Sequence, residues 1–380
     1  MIGVLLGVYL PALGYGPGML GTVVGAGLAG AAIATAAVML SGARWNPRRT
    51  LLAVTICSAL GAMGLALGSH PGMLLAAAFL GMVNGMGRDR GAALVVEQSL
   101  LPATATDRER TTAFARYHVL QDAGHALGAL LASAPAWMAR LGVAPGVASD
   151  RAAVLAYAAL SLLPVALYAR LTPAPAAARP RVALSPASRG ILWRISALFA
   201  LDGIGGGFLT SALVAYFFHV RFGVGIEMVA PLFVGARILN AVSHLGAAWL
   251  ARRIGLVPTM VWTHLPSSLL LVTMGFAPNF AVAAILFLVR EGLVEMDVPT
   301  RQSYVMGVVR PEERAIAAGV TQLVRLGAWA VAPFIAGFCM QGVSLMAPLV
   351  LGAAMKITYD LLLWRAFRRR RPPEEIQRVN

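Results

Sequence analysis

Little in this chain would hold it in water. Only 12% of its 380 residues are charged, about half the share of an ordinary soluble domain, so a soluble globular fold is excluded. The 58% hydrophobic content excludes a disordered chain as well. Cysteine is confined to Cys57 and Cys339, each inside an apolar run, which leaves no disulfide framework and no CxxC metal site. Lysine is nearly missing: of 31 cationic side chains, Lys356 is the one that is not arginine. No G-x-x-x-x-G-K-[ST] loop is present to bind a nucleotide, so the chain carries no ATPase of its own. H-E-x-x-H and G-x-S-x-G are absent too, and no long polar segment offers an extramembrane domain, which argues against a membrane enzyme or a receptor. Acidic residues are outnumbered, giving a net charge of +15. The basic residues lie between apolar runs rather than on one polar face, which excludes nucleic acid as the partner.

Long apolar runs fill the remaining space. A helix needs about 20 apolar residues to cross about 30 Å of hydrocarbon. Candidate spans fall near 1–13, 19–41, 51–68, 73–100, 111–138, 152–169, 191–218, 229–250, 258–276, 280–308, 315–338 and 344–366, twelve in all. The turn-forming strings GYGPG, NPRR, SHPG, GVAPG, APN and RPEER separate them. The expected organisation is an N-terminal six-helix bundle over 1–169, a Pro/Ala/Arg-rich linker over 170–190, a C-terminal six-helix bundle over 191–366 and a basic tail over 367–380. Numbering loops alternately puts Arg44, Arg48, Arg49, Arg108, Arg110, Arg252, Arg253, Arg310, Arg314 and the linker and tail arginines on one side. The other side holds Arg140, Arg151 and Arg221. The positive-inside rule therefore places linker and C-terminus in the cytoplasm.

The two halves repeat. Tyr9, Gly16 and Gly18 fall on Tyr216, Gly223 and Gly225, and Asp89 falls near Asp297. On this register Met1 matches Phe208, although the seventh span begins near Ile191, so the first helix is expected to be a truncated copy. Twelve spans, two halves and a cytoplasmic linker resemble the major facilitator superfamily of secondary transporters. The loops carry the resemblance as well. The family's G-x-L-A-D-R-x-G-R-[RK] loop has counterparts in Leu250-Ala251-Arg252-Arg253-Ile254-Gly255 and in Ala43-Arg44-Trp45-Asn46-Pro47-Arg48-Arg49. The family's Asp is replaced by Arg252 in one copy and by Ala43 in the other. Asn84-Gly85-Met86-Gly87 matches the tail of the fourth-helix motif R-x-x-Q-G-x-G, and Pro311-Glu312-Glu313-Arg314-Ala315 resembles the start of the family's helix 11. The resemblance implies an all-α polytopic membrane protein of two pseudo-symmetric six-helix bundles. It also implies transport by alternating access, a gating loop built on Arg44, Arg48, Arg49, Arg252, Arg253 and Gly255, and helices 3, 6, 9 and 12 as an outer scaffold.

Ionisable residues inside spans cost at least ~2.5–3.5 kcal/mol each, so each needs a partner, a wet cavity or a function. The set expected on a substrate and proton pathway is Arg88, Asp89, His118, Asp122, His125, Asp202, Arg237, Asn240, His244, Arg290, Asp297 and Arg325. Several share a helix face: His118, Asp122 and His125 at i, i+4, i+7, and Arg237, Asn240 and His244 at i, i+3, i+7. Other groups read as structural. Arg88, Asp89 and Arg90 can form an ion-pair knot. Glu97 is expected to pair with loop arginines such as Arg44, and Glu291 and Glu295 with Arg301 or Arg325. Lys356 and Asp360, at i and i+4 on an outer helix, read as a local pair with the lysine snorkelling, and His264 as a lone packing residue.

The function expected is secondary active transport of a small, polar, anionic organic solute, coupled to protons. Carboxylates and histidine can be neutralised inside a membrane whereas arginine keeps its charge. Asp89, Asp122, His125, Asp202 and Asp297 are therefore the proton candidates, and Arg88, Arg237 and Arg325 the anion candidates. Multidrug/proton antiport is the alternative, and metal transport through His118, Asp122 and His125 a lesser one. The expected partners are the solute, H+ and the lipid bilayer, with no cofactor, for a monomer in the cytoplasmic membrane.

Overall fold

The computed structural model describes residues 1–41, 46–86, 91–100, 110–143, 146–171, 185–310 and 313–368. The described residues form helices and no strand. Among the described residues there are seventeen helical segments, and five pairs of them follow one another as the two pieces of one expected span. The first three spans are unbroken: α1 (Ile2–Ala12), α2 (Pro17–Ser41) and α3 (Pro47–Leu67). Three broken spans follow: α4 (Pro71–Gly81) with α5 (Gly91–Leu100), α6 (Arg110–Leu131) with α7 (Ala134–Arg140), and α8 (Val147–Ser161) with α9 (Leu163–Ala169). The second half runs through α10 (Pro186–Gly207) with α11 (Ser211–Phe222), α12 (Ile226–Ile254) and α13 (Leu256–Gly275). It closes with α14 (Phe280–Val294) and α15 (Asp297–Val308), α16 (Arg314–Gly342) and α17 (Ala347–Phe367). Eight stretches of the described residues are long and apolar enough to cross a membrane, and α1 and α4 are shorter apolar helices.

The breaks have local causes. Helix α4 ends where Met82 takes a left-handed conformation (φ 54°). Asn84 then closes the turn, donating to the Met82 carbonyl and accepting from the Met86 amide, both at 3.0 Å. Pro135 and Pro164 sit in the first turns of α7 and α9, where a missing N–H costs nothing. Helix starts are capped where the sequence reads as a turn: Asn46 accepts from Arg48 at 3.0 Å, and Asn279 accepts from Val282 at 3.0 Å.

The chain gathers into two compact units. The first comprises Met1–Arg179, Thr210–Val234 and Trp329–Leu345. Helix α2 comes close to neighbouring backbone: a Cβ added at Gly27 would lie 1.8 Å from the Val83 carbonyl oxygen. Small residues allow this close approach, which in lipid supplies the packing that the hydrophobic effect does not. The second unit comprises Pro180–Leu209, Gly235–Ala328 and Met346–Asn380. Its core joins Leu192 and Phe199 of α10, Met260 of α13, Tyr304 of α15, and Tyr359 and Phe367 of α17. Tyr304 and Phe367 meet edge to face at 5.8 Å.

Candidate functional site

Next to that aromatic core the second unit buries a chain of charges. Asp202 on α10 accepts from two cations: Arg301 Nη1 at 3.0 Å from α15, and Lys356 Nζ at 3.0 Å from α17. The same Arg301 nitrogen also reaches Asp297 at 2.6 Å, one helical turn before it. Asp297 opens α15, where an anion also meets the positive end of the helix dipole. Beyond Lys356, its Nζ lies 3.1 Å from His264 Nε2 on α13. His264 Nδ1 in turn lies 3.0 and 3.1 Å from the two Asp360 oxygens on α17. Asp202 is 3% exposed and Asp360 0%, so these pairs act without solvent screening. Phe199 lies under Arg301 at 5.2 Å, and Tyr359 stands edge-on to His264 at 6.0 Å. Three carboxylates here face two cations and one imidazole. A neutral count requires one further proton on His264 or on a carboxylate.

A second polar group lies in the same unit. Asn240 of α12 donates to Glu291 of α14 at 3.2 Å, and Arg290 pairs with Glu291. Asn240 and Arg290 are both buried, yet the Asn240 carbonyl oxygen and Arg290 Nε have no hydrogen-bond partner. Arg237, His244 and Arg325 are half-buried.

Two of the expected pathway residues, Asp202 and Asp297, thus meet in one cluster, and two more, Asn240 and Arg290, meet in another. Arg88 and Asp89 lie outside the described residues, as do Arg90 and Arg44. The side chains of His118 and Asp122 lie outside them too, while His125 is half-buried on α6. Of the gating loops, Arg49, Arg252 and Arg253 are exposed and Arg48 half-buried, and Gly255 links α12 to α13 at φ 95°. Three structural expectations are corrected. Lys356 does not snorkel to form a local pair with Asp360; it turns inward to Asp202 and His264, where the charge is needed. His264 is no lone packing residue but joins Lys356 to Asp360. Glu291 pairs with its neighbour Arg290 rather than with Arg301 or Arg325. Glu97 accepts from the Tyr117 hydroxyl at 2.6 Å and from Tyr168, while Arg44, its expected partner, lies outside the described residues. Among the described residues no three His, Cys, Asp or Glu side chains gather as a metal site.

The profile of the Major Facilitator Superfamily matches residues 1–333. The chain belongs to that family. A stretch of 181 residues is 26% identical to "Uncharacterized membrane protein YJR124C" of Saccharomyces cerevisiae, covering 47% of this chain and 40% of the yeast protein. The chain therefore matches less than half the length of that relative. Among solved structures, the nucleoside transporter NupG superposes with a TM-score of 0.74 at 14% identity, covering 97% of both chains. A D-xylose-proton symporter superposes at 0.69 and 14% identity, covering 98% of this chain and 96% of the other. These likenesses establish the fold: a multi-pass, twelve-helix major facilitator architecture, that of a transporter rather than an enzyme. Within this family fold, α13 and α17 are the ninth and twelfth spans, expected as scaffold, yet they supply His264, Lys356 and Asp360. Sequence reasoning passed over these three, and Arg301, because each looked locally explained. The available signal was the chain's single lysine, placed with an aspartate on an otherwise apolar span.

Proposed function

We propose that this member of the major facilitator superfamily is a proton-coupled secondary transporter of a small polar organic solute. The observation that carries the reading is the buried cluster of Asp202, Asp297 and Asp360 against Arg301 and Lys356, with His264 between them. An unmatched carboxylate in hydrocarbon is costly, so the cluster favours holding one exchangeable proton. A proton whose gain or loss changes which helices are paired is the element that coupling requires. The D-xylose-proton symporter of the same fold gives this reading a parallel. On the solute side, Asn240 and Arg290 keep polar atoms open for hydrogen bonding, and Arg237 and Arg325 supply charge for an anionic group. Linker and C-terminus lie in the cytoplasm of a cell whose cytoplasmic membrane holds the protein.

The test is uptake into proteoliposomes of radiolabelled uridine, xylose and succinate, one each of nucleoside, sugar and dicarboxylate, with and without a pH gradient. Gradient-driven accumulation of one of them, abolished by a protonophore, is expected. Arg237→Ala and Arg325→Ala should weaken affinity for an anionic solute by about tenfold or more, and Arg→Lys should rescue poorly where contact is bidentate. Accumulation indifferent to the gradient for every transported solute defeats proton coupling; export of apolar cations instead points to multidrug antiport.

A further inference from the structure

We propose that Lys356, His264 and Asp360 form a proton relay within the second unit, and that the chain's sole lysine is the group that releases and regains the proton. The proposal rests on the proton-coupled reading above and names the path by which the proton moves.

Hydrogen-bond polarity fixes the resting state. A carboxylate only accepts, so His264 Nδ1, 3.0 and 3.1 Å from the Asp360 oxygens, must carry a hydrogen. An ammonium only donates, so His264 Nε2, 3.1 Å from Lys356 Nζ, must accept. His264 is then a neutral imidazole, donor at one end and acceptor at the other, and the further proton of a neutral count belongs to a carboxylate other than Asp360. An imidazolium would point an N–H at an ammonium. The four side chains Asp202, Lys356, His264 and Asp360 therefore form one directed row of hydrogen bonds across α10, α17 and α13.

Transfer along the row conserves protons and moves no electrons between groups. The Lys356 Nζ–H bond breaks as a bond forms at His264 Nε2. The His264 Nδ1–H bond breaks as one forms at an Asp360 oxygen. The products are a neutral amine at Lys356, the opposite neutral tautomer of His264, and a carboxylic acid at Asp360. Asp202 then keeps only Arg301, which it shares with Asp297. The proton's position thus weakens the tie between α10 and α17 while leaving that between α10 and α15. The charged and titratable groups facing this row are Asp202 from α10, Asp297 and Arg301 from α15, and Tyr359 beside His264 on α17. On α14, Arg290 and Glu291 are engaged with each other.

The choice of residue agrees with the role. Every other cationic side chain among the 31 is arginine. A guanidinium would hold Asp202 as well as an ammonium does, but it does not give up a proton, whereas a buried lysine readily does.

Labelling with [15Nζ]lysine yields one side-chain signal, because the chain has one lysine. In detergent micelles, 15N NMR of this label and of [15N]histidine, with His264 assigned by His264→Gln, follows both groups from about pH 5 to about pH 10. The expected result is a Lys356 amine fraction equal to the Nε2–H fraction of His264 at each pH, because one proton-conserving transfer makes both. A Lys356 ammonium and an Nδ1–H His264 that persist across the whole range overturn the relay, and this measurement needs no solute. In proteoliposomes, a Lys356→Arg protein that still melts cooperatively should lose accumulation driven by a pH gradient. A Lys356→Arg protein that still accumulates solute would leave the lysine purely structural and overturn the relay alone. A wild-type protein indifferent to the gradient defeats the proton-coupled reading itself.

Discussion

Arg301 offers one terminal nitrogen to two carboxylates, Asp202 and Asp297, and lies 3% exposed. Removing the cation leaves two buried anions with too few partners. Arg301→Gln is therefore expected to cost about 3–5 kcal/mol, the loss typical of breaking a buried ion pair from one side. The cost should shrink when Asp297→Asn is added, because one uncompensated charge is then gone. Detergent melting of the two single variants and the double variant measures this; additive losses would show that the three side chains do not act as a unit. The sequence marked Asp202 and Asp297 because they sit inside apolar spans. It did not mark Arg301, Lys356, His264 or Asp360 for the cluster. Residues on spans seven, nine, ten and twelve have no sequence proximity, and pairing across a bundle is set by how the helices pack.

At the scale of the helix, starts and stops follow local chemistry that was open to reading. Asn46 and Asn279 lie in the turn strings NPRR and APN and cap the helices that follow. The start of α10, capped locally by Ser185, depends on a distant residue as well. The Ser188 hydroxyl and the Ser185 backbone N–H donate to Glu313, which precedes α16, and hold its carboxyl below the usual range. A depressed carboxyl contributes stability that is present above its unfolded value, near about pH 4.3, and lost as pH falls through the lower folded value. Glu313→Gln should therefore melt below wild type at neutral pH, and the difference should close on acidification. A constant gap from about pH 7 to about pH 3 would show that the carboxylate charge contributes nothing. The breaks within spans were less legible. Those at Pro135 and Pro164 have a proline as signal, but the one after Met82 arises from a left-handed residue whose type does not announce it.

For the molecule as a whole, packing in the first unit is set by glycine. Gly27→Ala places a methyl against the Val83 carbonyl and forces α2 away from the turn that follows α4, whereas a Cβ at Gly124 of α6 meets nothing within 4 Å. Overpacking of this kind costs typically about 1–3 kcal/mol. Gly27→Ala should lower the melting temperature and Gly124→Ala should not; equal melting of both would mean that α2 does not rely on backbone contact with the turn after α4. Hydropathy alone was enough for the fold class and the span number, because a bilayer imposes one constraint on every segment: apolar for about 20 residues. The internal repeat and the loop motifs added the family for the same reason, being written in consecutive residues. Tertiary structure alone assembled the charge cluster. Each ion pair there joins helices whose sequence separation carries no signal, such as the 154 residues between Asp202 and Lys356. A buried charge takes whichever opposite charge the packing brings within about 3 Å, since in a medium of low dielectric an unpaired one is too costly to keep.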